Sequence, residues 1–176
     1  MAYRRMAEAK KRYDVTEVLA GYLDRHLVLP LLDFLRDKDI YDPAEMQQSK
    51  LQVLFSTNMV DLAMDIYTDR GQEPPAAMKE RREEVVKTMD ALSAEVQPIL
   101  ALVHDQGRVN ELKQERLFNI TYLQQQMGIT PHHVDVLHRY AKFVYDCGNY
   151  QLASSLLVNF RLLTCALGDA LAAPSP

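Results

Sequence analysis

Between Val85 and Val103 the apolar residues Val85, Met89, Leu92, Val96, Ile99 and Val103 recur at alternating spacings of four and three. Only an α-helix places such a set on one side of the chain. The stripe lasts too few heptads for a free-standing coiled coil, so it has to be buried against neighbouring helices. Pro74-Pro75 marks its beginning, and Pro98 within it predicts a kink. The block Lys79-Glu80-Arg81-Arg82-Glu83-Glu84 alternates in sign near its start, the pattern of a solvated face.

The rest of the chain supplies partners of the same kind. Val15, Val18, Leu19, Tyr22 and Leu23 form a helical stripe over residues 14–24. The run Leu27–Leu35 is almost wholly apolar and predicts a core helix whose opening turn carries Pro30. Asp42, Pro43 and Glu45 read as N-cap, first residue and acidic first turn of a third helix carrying Leu51, Leu54 and Phe55. Thr57 and Asn58 separate it from a fourth, with Met59, Leu62, Ala63 and Ile66, that Gly71 closes; helices three and four are expected to form a hairpin.

Thr130-Pro131 opens a final pair, residues 131–147 and 150–166, joined by Gly148-Asn149. A glycine can end one helix in the left-handed conformation and an asparagine can cap the next. In RYAKFVYDCGNYQLASSLL, residues 139–157, Ala141 and Ala153 let two helices approach while Tyr145, Tyr150 and Leu157 fill the groove between them. The expected fold is all-α, a right-handed-solenoid-like stack of antiparallel, tetratricopeptide-like hairpins. Its expected parts are a basic N-terminal arm over 1–12, a helical repeat domain over 13–166 and a frayed tail over 167–176. A solenoid end needs a polar cap, so the final hairpin is expected to leave an apolar face open. Leu156, Phe160 and Leu163, at i, i+4 and i+7, are the candidate partner-binding surface.

Composition excludes several function classes. Hydrophobic residues are 48% and charged residues 25% of the 176, which is the balance of a folded chain rather than a disordered one. The net charge of −4 argues against a dedicated nucleic-acid binder, since counterion release needs a concentrated basic surface. Arg4, Arg5, Lys10, Lys11 and Arg12 are the exception, and so short an arm supplies at most weak, salt-sensitive RNA contact. No apolar run reaches the roughly 18 residues of a membrane span. A cytoplasmic location is expected, with room for a nuclear pool.

No residues assemble into a catalytic, cofactor or metal motif. His132, His133 and His138 have no cysteine or carboxylate completing a ligand set, and the adjacent pair diverges by about 100° on a helix. Asp24-Arg25-His26 has acid–base residue types, but three consecutive helical positions do not converge. Arg25 is instead expected to hold a carboxylate or a helix end. Asp61 and Asp65, one turn apart, read as solvated carboxylates beside an apolar stripe. Cys147 and Cys165 fall at opposite ends of the last hairpin, on the order of 25 Å apart against the roughly 7 Å a disulfide allows, and are expected to be reduced and buried. The sequon at Asn119 is then idle.

Three strings go further: LDRHLVLPLLDFL at 23–35, KLQVLFSTNMVDLAMDIY at 50–67 and RYAKFVYDCGNY at 139–150. In order and spacing they closely resemble the N-terminal helical part of the e subunit of eukaryotic translation initiation factor 3, from about Tyr13 to Leu163. The resemblance implies a non-catalytic scaffold subunit, supporting recruitment of the small ribosomal subunit and mRNA in cap-dependent initiation. It implies other subunits of that factor as partners, with other initiation factors and the ribosomal subunit beyond them. Members of that family continue into a PCI module with a winged helix, and begin near the equivalent of Tyr13. A chain ending at Pro176 is expected to lack that module and to carry an additional arm. The alternatives are a helical subunit of the related signalosome or proteasome-lid assemblies, or a stand-alone RNA-binding helical repeat.

Overall fold

In a computed structural model, residues 15–38 and 41–171 are described, and among them every regular element is a helix. They are α1 (Thr16–Ala20), α2 (Arg25–Asp37), α3 (Pro43–Leu54), α4 (Val60–Asp69), α5 (Ala76–His104), α6 (Gln106–Gln114), α7 (Ile120–Met127), α8 (Pro131–Asp146) and α9 (Tyr150–Leu171). They divide into two compact units, one comprising the chain up to Thr57 with Leu62–Gln72, the other Asn58–Asp61 with Glu73 onward.

In the first unit, α2 and α3 pack together around Val28, Leu32 and Met46, with Ala20, Leu35, Tyr41 and Val53 against them. Both helices begin where a side chain can satisfy orphan N–H groups. The Asp24 carboxylate accepts from His26 N at 2.9 Å, and Asp42 accepts from Ala44 N at 2.8 Å. Because α2 starts at Arg25, Pro30 lies inside it rather than in its opening turn. Pro30 itself has no N–H to donate, and its exposed position leaves that side of the helix to solvent. Lys50 spans to Asp33 at 2.9 Å, joining α3 to α2.

The close pair in this unit is therefore α2 with α3, not α3 with α4 as the sequence suggests. The α4 segment is tied to α3 by Arg70, whose Nε donates to Gln47 Oε1 at 2.9 Å. Gly71, at φ +66, closes α4 as expected. The first helix is shorter than its stripe: it spans five residues, and Val15, Val18, Leu19, Tyr22 and Leu23 are all exposed.

The second unit is built on the stripe of α5. Val96, Ile99 and Val103 are fully buried, and Met89 and Leu92 pack at the edge of the same core. The helix runs on through Pro98, and Lys79, Glu80, Arg82, Glu83 and Glu84 of the mixed-charge block are exposed. The broadest helix contacts are α8 on α9 and α5 on α8. Between α5 and α8 lie α6 and α7, elements that the stripes do not announce. Each offers the core very little: Val109 and Leu112 from α6, Leu123 from α7. Local chemistry fixes them instead, since Asp105 accepts from Arg108 N and Asn119 from Tyr122 N, both at 2.9 Å, and Gly128 ends α7 at φ +67.

Candidate protein-interaction surface

The last hairpin is set by its turn. Gly148 takes φ +84, the Asn149 side chain accepts from Leu152 N at 3.1 Å, and the Tyr145 and Tyr150 rings meet at 5.5 Å. Ala141 and Ala153 are buried where α8 and α9 meet, so small side chains allow the close approach that the sequence predicts. At the other end of α8, Pro131 is the first helical residue, and Thr130 N donates to His133 Nδ1 at 3.1 Å, a capping interaction.

The residues expected to form an open apolar face are placed differently. Leu156 and Leu163 are each 2% exposed and belong to the core. Phe160 is partly buried, with its ring stacked on His138 at 4.9 Å. The reason is α7: α9 packs on it as well as on α8, and Leu123 joins the same cluster as Leu156 and Leu163. Among the described side chains of α9, the large apolar ones exposed to solvent are Tyr150, Leu152, Leu157 and Val158. The basic set Arg4, Arg5, Lys10, Lys11 and Arg12 lies outside the described residues.

The polar residues with chemical potential are each engaged structurally. Asp24 caps α2, and Arg25 Nη1 donates to the carbonyl of Ser56 at 2.6 Å, just past the end of α3. Arg25 thus holds a helix end, one of the two roles expected of it. His26 is buried. Asp61 accepts from Arg82 Nε at 2.5 Å, and Asp65 is exposed. His132 Nε2 meets Glu95 Oε1 at 2.8 Å, while His133 caps α8 and His138 stacks on Phe160. Among the described residues no three His, Cys, Asp or Glu side chains are grouped to hold a metal ion.

Cys147 and Cys165 are free. Their burial differs from expectation: Cys147 is half-buried and Cys165, near the end of α9, is exposed. Burial pushes the Cys147 thiol up to about 11, with Asp146 and Asp61 adding to the rise, because a thiolate would be both poorly solvated and beside negative charge. Asn119 of the sequon caps α7.

Among the described residues, each unit carries a surface concavity. One, of about 460 Å³, lies on the second unit and is lined by Asn58, Ala77, Glu80, Arg81, Glu84 and Phe143 among others. The other, of about 250 Å³, lies on the first unit between Ala20, Leu23, Arg25, Val28, Val53 and their neighbours. The larger is lined mainly by polar and charged side chains, the smaller by apolar residues with Arg25, Gln52 and Ser56 at its edge, and neither brings together a paired nucleophile and base. Among the described residues no helix is long and apolar enough to cross a membrane.

The family described as eIF3 subunit 6 N terminal domain matches residues 14–144, which takes in the capped helices of the first unit and the α5 and α8 layers of the second. The chain belongs to this family. The E subunit of eukaryotic translation initiation factor 3 from Arabidopsis thaliana is 37% identical over 170 residues, 96% of this chain and 38% of that protein. The E subunits of the same factor from Schizosaccharomyces pombe and Caenorhabditis elegans are 36% and 33% identical over 85% and 86% of this chain, and 31% and 36% of their own lengths. This member of the eIF3 subunit 6 N terminal domain family thus spans about a third of the curated relatives it matches.

Proposed function

We propose that this chain is a non-catalytic interaction subunit, or part of one, of the assembly for which its relatives are named, translation initiation factor 3. The observation that carries the reading is the 37% identity to an E subunit of that factor running across 96% of this chain, rather than through one motif. Its partners are other subunits of the factor, and through them other initiation factors and the small ribosomal subunit, in cap-dependent initiation in the cytoplasm. The helical pairs α2–α3 and α8–α9 support a repeat-like scaffold in which helix faces are the working surfaces. The mechanism is binding, with Asp24, Asp105 and Asn119 capping helices and Lys50–Asp33 and Arg82–Asp61 forming ion pairs.

The test is affinity purification of the full chain, tagged, from eukaryotic cells, with quantitative mass spectrometry. The expected result is recovery of several initiation factor 3 subunits in comparable amounts. Recovery of signalosome or proteasome-lid subunits in their place would overturn the assignment.

A further inference from the structure

The first unit carries an apolar groove that its own helices leave open. Ala20, Leu23, Val28 and Val53 line it, and Arg25, Gln52 and Ser56 form its polar edge, around about 250 Å³. That volume accommodates one or two large side chains from outside. Leading into it along the chain are Val15, Val18, Leu19 and Tyr22, Val18 and Leu19 on α1 and the other two just outside its ends, and these side chains are 55%, 62%, 55% and 88% exposed. Folded domains scatter exposed apolar residues singly, whereas a run of them adjoining groove-lining Ala20 and Leu23 offers an apolar surface that the apolar face of another amphipathic helix would cover.

The chemistry of the occupant follows from Arg25. Its guanidinium is the charge on the groove edge, and one of its five N–H groups is used, by the Ser56 carbonyl at 2.6 Å. Among the described residues it forms no ion pair. A purely apolar ligand filling the groove would strip water from that cation without replacing it, a penalty that offsets the gain from apolar contact. A ligand bringing a carboxylate would meet a planar donor fork already fixed by the Ser56 bond, so little side-chain freedom remains to be lost on binding.

We propose that the α1–α2 corner is a docking groove for an acidic amphipathic helix of another protein, its apolar face on Leu19, Tyr22 and Leu23 and its carboxylate on Arg25. The site is a property of this chain and does not depend on membership of any one assembly.

The probe is a fluorescein-labelled synthetic helix with Leu and Phe at i, i+3, i+4 and i+7 and Glu flanking that stripe, titrated into the full chain and followed by anisotropy. Two control peptides replace Glu by Gln or by Lys. The Glu peptide is expected to bind saturably, the Gln peptide about ten-fold more weakly, as loss of a charge-assisted bond implies, and the Lys peptide not at all. Leu19→Asp/Tyr22→Asp, at exposed positions where circular dichroism is expected to stay native, should abolish binding. Arg25→Glu should reverse the preference and capture the Lys peptide. Equal binding of the three peptides, binding unaffected by Leu19→Asp/Tyr22→Asp, or no saturable binding would overturn the proposal. So would concentration-dependent dimerisation of the unliganded chain that Tyr22→Asp removes, since the occupant would then be a second copy.

Discussion

Gly148 and Met59 are in contact in the second unit: a β-carbon built on Gly148 would lie 2.7 Å from Met59 Cε. Two separate penalties therefore face any side chain at this turn, and they differ in how easily they are relieved. Met59 Cε is the far end of an unbranched side chain with three rotatable bonds. The φ of +84 cannot be relieved, because the turn is fixed on both sides by α8 and α9. The conformational penalty, about 1–2 kcal/mol for an L-residue, should dominate. Gly148→Ala is expected to lower stability by about that amount in urea titration, and Met59→Ala in the same chain should not restore it. Full rescue by Met59→Ala would mean that the contact, not the backbone, is decisive.

The packing of α9 predicts an opposed pair of outcomes on one helix. Leu156 is buried, so Leu156→Ala should cost about 2–5 kcal/mol, the range for a core leucine. Val158 is 66% exposed, and Val158→Ala should stay within about 0.5 kcal/mol of wild type. Equal effects in thermal unfolding would place the helix in a different rotation.

Ala153 tests the α8–α9 approach itself. It is 2% exposed, and Ala153→Arg would force a long charged side chain into that contact, with overpacking and desolvation costing about 3–5 kcal/mol. Loss of cooperative helical unfolding by circular dichroism is expected; an unchanged melting temperature would contradict the packing described here.

The two thiols should react in a fixed order. With its thiol near 11, Cys147 presents about three thiolates in ten thousand at pH 7.5, whereas Cys165 is exposed. Iodoacetamide at that pH, followed by peptide mass spectrometry, should modify Cys165 first. Because burial raises the Cys147 value, its rate should keep climbing well above pH 9; faster modification of Cys147 at neutral pH would refute the assigned environment.

Much of the helix pattern was legible because caps and stripes are local signals. Asp42-Pro43, Thr130-Pro131 and Gly148-Asn149 each mark a boundary that the structure keeps within a residue or two. The α6 and α7 segments carry caps at Asp105, Asn119 and Gly128 but no stripe, because a helix burying only one or two side chains has no stripe long enough to count. That silence propagates: without α7, Leu156 and Leu163 look like an uncovered end, and with it they are core. The stripe of α1 misleads in the opposite sense, since periodicity reports that a face is apolar, not that its partner lies in the same chain. Arg25 reads in the sequence as holding either a carboxylate or a helix end, and the structure shows a helix end; the carbonyl it reaches, Ser56, lies 31 residues away and no local pattern names it.

The central claim, that these residues form a binding subunit of initiation factor 3, is met most directly by reconstitution. Purified full chain would be added to recombinant initiation factor 3 assembled without its own E subunit and sedimented through a sucrose gradient. The account predicts co-migration at about one chain per complex, reversed by competition from the full-length E subunit. A chain that remains at the top of the gradient with native circular dichroism would contradict it.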